Sequence, residues 1–207
     1  MTPGLDEAGW DARYSESDRI WSGNPNGGLV DEVSGMTPGT VLDVGCGEGA
    51  DAVWLAQQGW QVTALEISGV ALARARQHAA DAGVEIAWVH AGLAEAPLEP
   101  GFFDLVSAQY PALPRTDDAA NERALLDAVA PGGTLLLIHH AGMEHHEPHD
   151  DQPFDPRDFV WPSMVAELLR SDDAWRIDVD ETRPRRIDGG AGSHHADDTV
   201  LRATRLR

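Results

Sequence analysis

The chain has no lysine. All fifteen of its basic side chains are arginine, set against thirty-five Asp and Glu, for a formal net charge of −20 over 207 residues. Without lysine there is no Walker-type phosphate loop, no pyridoxal-phosphate Schiff base and no Tyr-x-x-x-Lys dehydrogenase pair. The excess of acid disfavours nucleic acid, which needs a basic surface for counterion release, and anionic membrane surfaces for the same reason. It equally suits a solvated acidic surface with no functional meaning. Cysteine is nearly absent: a single residue, Cys46, excludes an intrachain disulfide and fits a reducing compartment. No apolar run approaches the ~20 residues of a membrane span, and the opening MTPGLDEAGWDARYSESDR has no apolar signal core. A cytoplasmic protein with no membrane partner is expected.

What is present is an ordinary globular balance, 42% apolar and 24% charged. It predicts one domain over residues 1–207, with an N-terminal helical segment over 1–37 and a core over 38–207. Short apolar runs read as buried strands at 40–44 (TVLDV), 61–65 (QVTAL), 85–90 (EIAWVH), 103–108 (FDLVSA) and 134–139 (TLLLIH). Helical patterns fall between them at 50–58, 69–82 and 117–129. Ser68 reads as a helix start, Gly59 and Gly83 as stops, and Pro131–Gly133 as a turn. Alternating strands and helices predict an α/β, Rossmann-like, doubly wound sheet with helices on both faces. After a polar seventeen-residue loop at 141–157, a helix over 158–170 leads to strands at 175–181 and 199–204, joined by a Gly-rich turn at 188–193. With no helix between them, these two predict an antiparallel finish at one sheet edge, and seven strands in all.

The strongest local signal is VLDVGCGEGAD, residues 41–51. Gly45, Gly47 and Gly49 stand between a strand and a helix, where glycine lets the backbone turn tightly and approach a ligand. The helix N-terminus adds free N–H groups. Twenty-one positions after Gly45 comes Glu66, at the end of the second strand. A carboxylate there can accept both hydroxyls of a ribose. Together these features point to an adenosine-type nucleotide. The spacing is G-x-G-x-G after Asp43, not the G-x-G-x-x-G of dinucleotide binders.

DVGCGEG, the acid in LEIS, PGG before the fifth strand and the antiparallel finish resemble the Rossmann-like S-adenosylmethionine-dependent methyltransferases. WDARYSESDRIWSGNPN, GEGADAVWLA and HHADDTVLRATR resemble more narrowly the small bacterial thiopurine and tellurite-resistance type. The resemblance implies S-adenosyl-L-methionine as cofactor and methyl transfer to a small-molecule acceptor: a thiol, chalcogen, hydroxyl or amine. It places Gly45, Cys46 and Gly47 along the methionine part and Asp43 at its amino group. Glu66 goes to the ribose, where the family usually has Asp, and Ile67 to the adenine. The family's acid after strand three is replaced by Gly92, so backbone groups of Gly92 and Leu93 are expected at the base. Gln109 and Tyr110 face the transferred methyl. In similar enzymes the N-terminal segment closes over the cofactor, which implicates Tyr14 and Trp21, by hydrogen bonding or by cation–π contact with the sulfonium.

Acceptors bind at strand ends in open α/β sheets. His139 and His140 after strand five, and His195 before the last strand, are candidate bases near neutral pH, with Tyr14 as a further catalytic candidate. His145, His146 and His149 read as solvated. HHAGMEHHEPHDD is rich in zinc- or nickel-type ligands, but its spacing matches no firm metal motif, so no metal is assigned. Cys46 reads as packing. Two alternatives stand beside methyl transfer: a nicotinamide-dependent Rossmann oxidoreductase, and a non-catalytic cofactor- or metal-binding protein. The chain is expected as a monomer or homodimer.

Overall fold

The computed structural model describes residues 6–145, 155–185 and 196–207. The aliphatic runs form a seven-stranded sheet in the order β3-β2-β1-β4-β5-β7-β6. Its strands are β1 (Thr40–Val44), β2 (Gln61–Glu66), β3 (Ala87–His90), β4 (Phe103–Gln109), β5 (Val129–His140), β6 (Trp175–Pro184) and β7 (Asp197–Arg205). The first five pair in parallel. β7 runs antiparallel between β5 and β6. The α/β, mostly parallel sheet expected from the sequence is thus the observed fold. The strand order reverses between β1 and β4, so a crevice opens at their carboxyl ends.

The helices are α1 (Glu7–Ser15), α2 (Gly27–Val33), α3 (Ala50–Gln57), α4 (Gly69–Ala82), α5 (Ala120–Ala128) and α6 (Pro162–Arg170). Strand alternation sorts the core onto two faces. Leu42, Leu135 and Leu137 face α5 and α6, with Leu125, Val165 and Leu169. Val41, Leu136 and Ile138 face α2 and α3, with Leu29, Val33 and Leu55. Asp43 is in step with Val41 and so points to the α3 side.

Several boundaries move for local reasons. α6 begins at Pro162, not residue 158, because the residue before a proline avoids helical angles: Trp161 is extended at φ −113°, ψ 154°. Within the N-terminal segment, helix is confined to α1 and α2. α5 begins after Ala119, which takes φ +51°. Pro131–Gly133, expected as a turn, lies inside β5, where pairing with β4 shifts register between Phe103 and Leu105. The Gly-rich turn at 188–193 and most of the 141–157 loop fall outside the described residues. No helix among the described residues is long and apolar enough to cross a membrane.

Candidate active site

The glycine loop sits at the crevice. Gly45, Gly47 and Gly49 take φ of +69°, +53° and +83°, angles that side chains rarely adopt. The backbone N–H groups of Gly45 and Cys46 donate to the Leu65 carbonyl at 2.8 and 3.0 Å. Gly47 N–H donates to Glu66 Oε2 at 3.0 Å and Ser68 N–H to Oε1 at 2.9 Å. Glu66 therefore shapes the loop, and each of its oxygens keeps further acceptor capacity. Nothing stands within 4 Å of where a Cβ on Gly45 would lie, so this face is open to a ligand.

Beneath the loop lie three buried carboxylates, Asp43, Asp51 and Glu66, at 2%, 6% and 5% exposure. Asp51 accepts the backbone N–H and side-chain amide of Asn26, both at 2.7 Å. Asp43 accepts from Ala52 N–H, but its Oδ2 has no partner among the described residues. Burial, then the charges of Asp51 and Glu66, push the Asp43 pKa well above the usual carboxylate value. Burial raises Glu66 and Asp51 as well, against the N–H groups that hold their ionised forms. Burial, then Asp43 and Glu66, pushes the Cys46 thiol up. Cys46 is thus a neutral packing residue beside the loop.

The N-terminal segment is fastened over this site by residues that motif reading did not single out. Asp11 Oδ1 accepts Ser68 Oγ at 2.6 Å and Val70 N–H at 3.1 Å, which docks α1 on the start of α4. Glu48 accepts Trp21 N–H at 3.0 Å and pairs with Arg74 at 2.8 Å. Arg74 also donates to the carbonyls of Tyr14 and Ser17 at 2.8 and 2.7 Å. This brings Tyr14 and Trp21 to the loop. Trp21 Nε1 donates to Tyr14 Oη at 3.0 Å, and a Cβ on Gly47 would lie 2.9 Å from that oxygen. Burial and then Glu66 raise the Tyr14 pKa. Tyr14 is therefore a neutral phenol beside the glycine loop, unsuited to take a proton.

A second group gathers where β4, β5 and β7 end. Tyr110 takes φ +51° and donates from Oη to Asp198 Oδ2 at 2.8 Å. Burial and then Asp198 raise its pKa, so it too remains a phenol. His140 stacks on Tyr110 at 4.4 Å between centroids, with its Nδ1 3.8 Å from Asp198 Oδ1. Arg185 lies over the Tyr110 ring at 4.7 Å. His139 packs 4.0 Å from Trp161. His140 N–H donates to His139 Nδ1 at 2.9 Å, so a neutral His139 ring carries its proton on Nε2. Gln109 is buried. Its Nε2 donates to Ser107 Oγ at 3.0 Å, and its Oε1 has no partner among the described residues. Phe159 and Trp161 form an apolar shelf with Ala112, Met143 and Met164. Asp198 and Trp161 escaped sequence reading because register and packing, not local pattern, bring them here. His146, His149 and His195 lie outside the described residues.

On the other flank, Ala91 N–H donates to the Glu66 carbonyl at 3.2 Å and sets Gly92 beside Ile67. The Leu93 side chain enters the main core, and its carbonyl accepts Ala96 N–H at 3.2 Å.

Residues 41–133 match the family model described as a methyltransferase domain. Over this stretch the chain is similar to the Rossmann-like S-adenosylmethionine-dependent methyltransferases. Relatives include the ubiquinone biosynthesis O-methyltransferase of Serratia proteamaculans, 35% identical over 110 residues, which are 53% of this chain and 46% of that one. The chain spans about half the length of the curated relatives it matches. A structure titled for the conversion of a disulfide bond into a thioacetal group during echinomycin biosynthesis superposes with a TM-score of 0.73. It is 24% identical, with 96% of this chain and 92% of that chain covered. A S-adenosylmethionine-dependent methyltransferase from Methanosarcina mazei superposes at 0.63 with 17% identity, covering 81% and 92%.

S-adenosylmethionine is the cofactor that this similarity implies, and the residues present fit it. It carries an ammonium and a sulfonium. The site offers buried carboxylates, an unpartnered Asp43 oxygen and an open backbone face at Gly45. Among the described residues none of the three carboxylates forms an ion pair with an arginine, so a cationic ligand would meet no competing positive side chain there.

Proposed function

We propose that this protein binds S-adenosylmethionine across the carboxyl ends of β1 to β4. It transfers the methyl group to an oxygen or sulfur nucleophile on a small, largely apolar acceptor. The unpartnered, buried Asp43 Oδ2 beneath the glycine loop carries the reading, because it suits the cofactor's ammonium. Asp43 and the open backbone face at Gly45 hold the methionine end, Glu66 the ribose and Ile67 one face of the adenine. Trp21 and Tyr14 close over the loop and exclude water. The cofactor supplies an already activated methyl, so the protein's task is in-line placement of the acceptor.

The shelf of Trp161, Phe159 and His139 receives the acceptor's apolar body. His139 presents Nε2–H as a donor and is not placed to act as base. His140, whose Nδ1 faces Asp198, takes the proton of a hydroxyl acceptor. A thiolate needs no such base. A chain of net charge −20 repels anionic acceptors, which ranks neutral phenols and thiols above tellurite. The O-methyltransferase relatives also point toward a hydroxyl. Tritium-labelled cofactor incubated with phenol, thiol, amine and tellurite panels tests this: label should pass to a neutral phenol or thiol. Transfer to none of them would remove the proposal.

A further inference from the structure

We propose that a groove at the β3 edge of the sheet is a second binding site, for a zwitterionic amino acid with an aromatic side chain. β2 starts at Gln61, but its pairing with β3 begins only at Thr63 and Ala87. α4 stops before Gly83, which takes φ +68°, and residues 84–86 return the chain to the sheet. A cavity of about 680 Å³ lies between the starts of β2 and β3 and the last turns of α4, where Ala79 and Ala80 are too small to fill it. That volume suits a small organic ligand. β2 spans six residues, roughly 20 Å. Glu66 stands at its other end, so this cavity is separate from the crevice.

The walls are aromatic. Trp60 and Trp88 line the cavity and pack in one apolar cluster with Val62. Indole faces suit a ring. Arg76 and Glu85 line the same cavity and are exposed. Neither forms a hydrogen bond or ion pair, with the other or with any described residue. Other arginines of this acid-rich chain are paired: Arg74 with Glu48, Arg170 with Asp180, and Arg183 and Arg202 with Glu32. An unpaired cation and an unpaired anion beside an aromatic wall match a molecule that carries both charges and a ring. A guanidinium donates two parallel bonds to a carboxylate, and a carboxylate accepts from an ammonium. Arg76 thus takes the carboxylate of the amino acid, Glu85 its ammonium and the indoles its side chain.

Calorimetric titration of L-phenylalanine into the whole chain, with and without S-adenosylhomocysteine, tests the site. L-phenylalanine should bind equally in both. L-phenylalaninamide lacks the carboxylate and 3-phenylpropionate the ammonium; each should bind roughly three- to tenfold more weakly. L-alanine, which has no ring, should give no saturable binding at the same concentrations. Arg76→Gln should weaken L-phenylalanine by the same factor and leave L-phenylalaninamide unchanged. Glu85→Gln should weaken L-phenylalanine and leave 3-phenylpropionate unchanged or tighter. Both side chains are exposed, so both variants should melt as wild type does. No binding of L-phenylalanine at millimolar concentration would overturn the proposal. So would an affinity that neither substitution alters, or equal binding of L-alanine. Displacement of L-phenylalanine by S-adenosylhomocysteine would put the probe in the crevice and overturn it too.

Discussion

Replacing Asp43 by asparagine should move stability and affinity in opposite directions. Asp43 is 2% exposed and its Oδ2 has no partner among the described residues. Its pKa is raised by burial first and then by Asp51 and Glu66. The native state therefore binds a proton at pH values where the unfolded chain has released it. Stability contributed by this group is lost as pH rises from the ordinary carboxylate value, about 3.9, through the raised folded value. Asparagine keeps the acceptor for Ala52 N–H and does not ionise. Asp43→Asn should melt higher than wild type, and the gap should widen as pH rises through that window. Cofactor binding should suffer, because a charge-assisted hydrogen bond to the ammonium is lost. That loss is about 1.5–3 kcal/mol, or roughly a 10- to 150-fold rise in Kd. Thermal melts across pH and calorimetric titration of S-adenosylmethionine give the two readouts. A variant that melts lower than wild type while binding the cofactor equally well would refute the reasoning and make Asp43 a structural residue.

Glu66→Ala should weaken cofactor binding by about 1–3 kcal/mol, through lost ribose contacts and a loosened Gly47 turn; unchanged calorimetric affinity would refute the ribose assignment. Arg74→Ala removes the partner of Glu48 and two carbonyl contacts to the N-terminal segment. Amide hydrogen exchange over residues 10–21 should accelerate and the KM for cofactor should rise, with α4 itself still protected; unaltered exchange would deny the fastening. His140→Gln should slow methylation of a phenol most below the phenol's own pKa and spare a thiol acceptor assayed above its pKa. Equal losses for both acceptors would assign His140 to positioning instead.

The glycine loop and Glu66 were legible in the sequence because their chemistry is local: positive φ, a strand before, a helix after, an acid at a set distance. The strands were legible because burial on both faces leaves continuous aliphatic runs. Other features were hidden by distance along the chain. Asp198 reaches Tyr110 and His140 only through the antiparallel register of β5 and β7. Glu48 and Arg74 are neighbours only after α4 packs beside the loop. Pro131–Gly133 resembles a turn in isolation, yet the pairing of β4 with β5 carries the strand through it. The roles of His139 and His140 also depended on geometry, since one backbone N–H decides which nitrogen of His139 is free to donate.

Calorimetric titration of the whole chain with S-adenosylmethionine and, separately, with NAD tests the central claim most directly. S-adenosylmethionine should bind saturably, more weakly to Asp43→Asn, and NAD should give no heat. Binding of NAD without S-adenosylmethionine would contradict it.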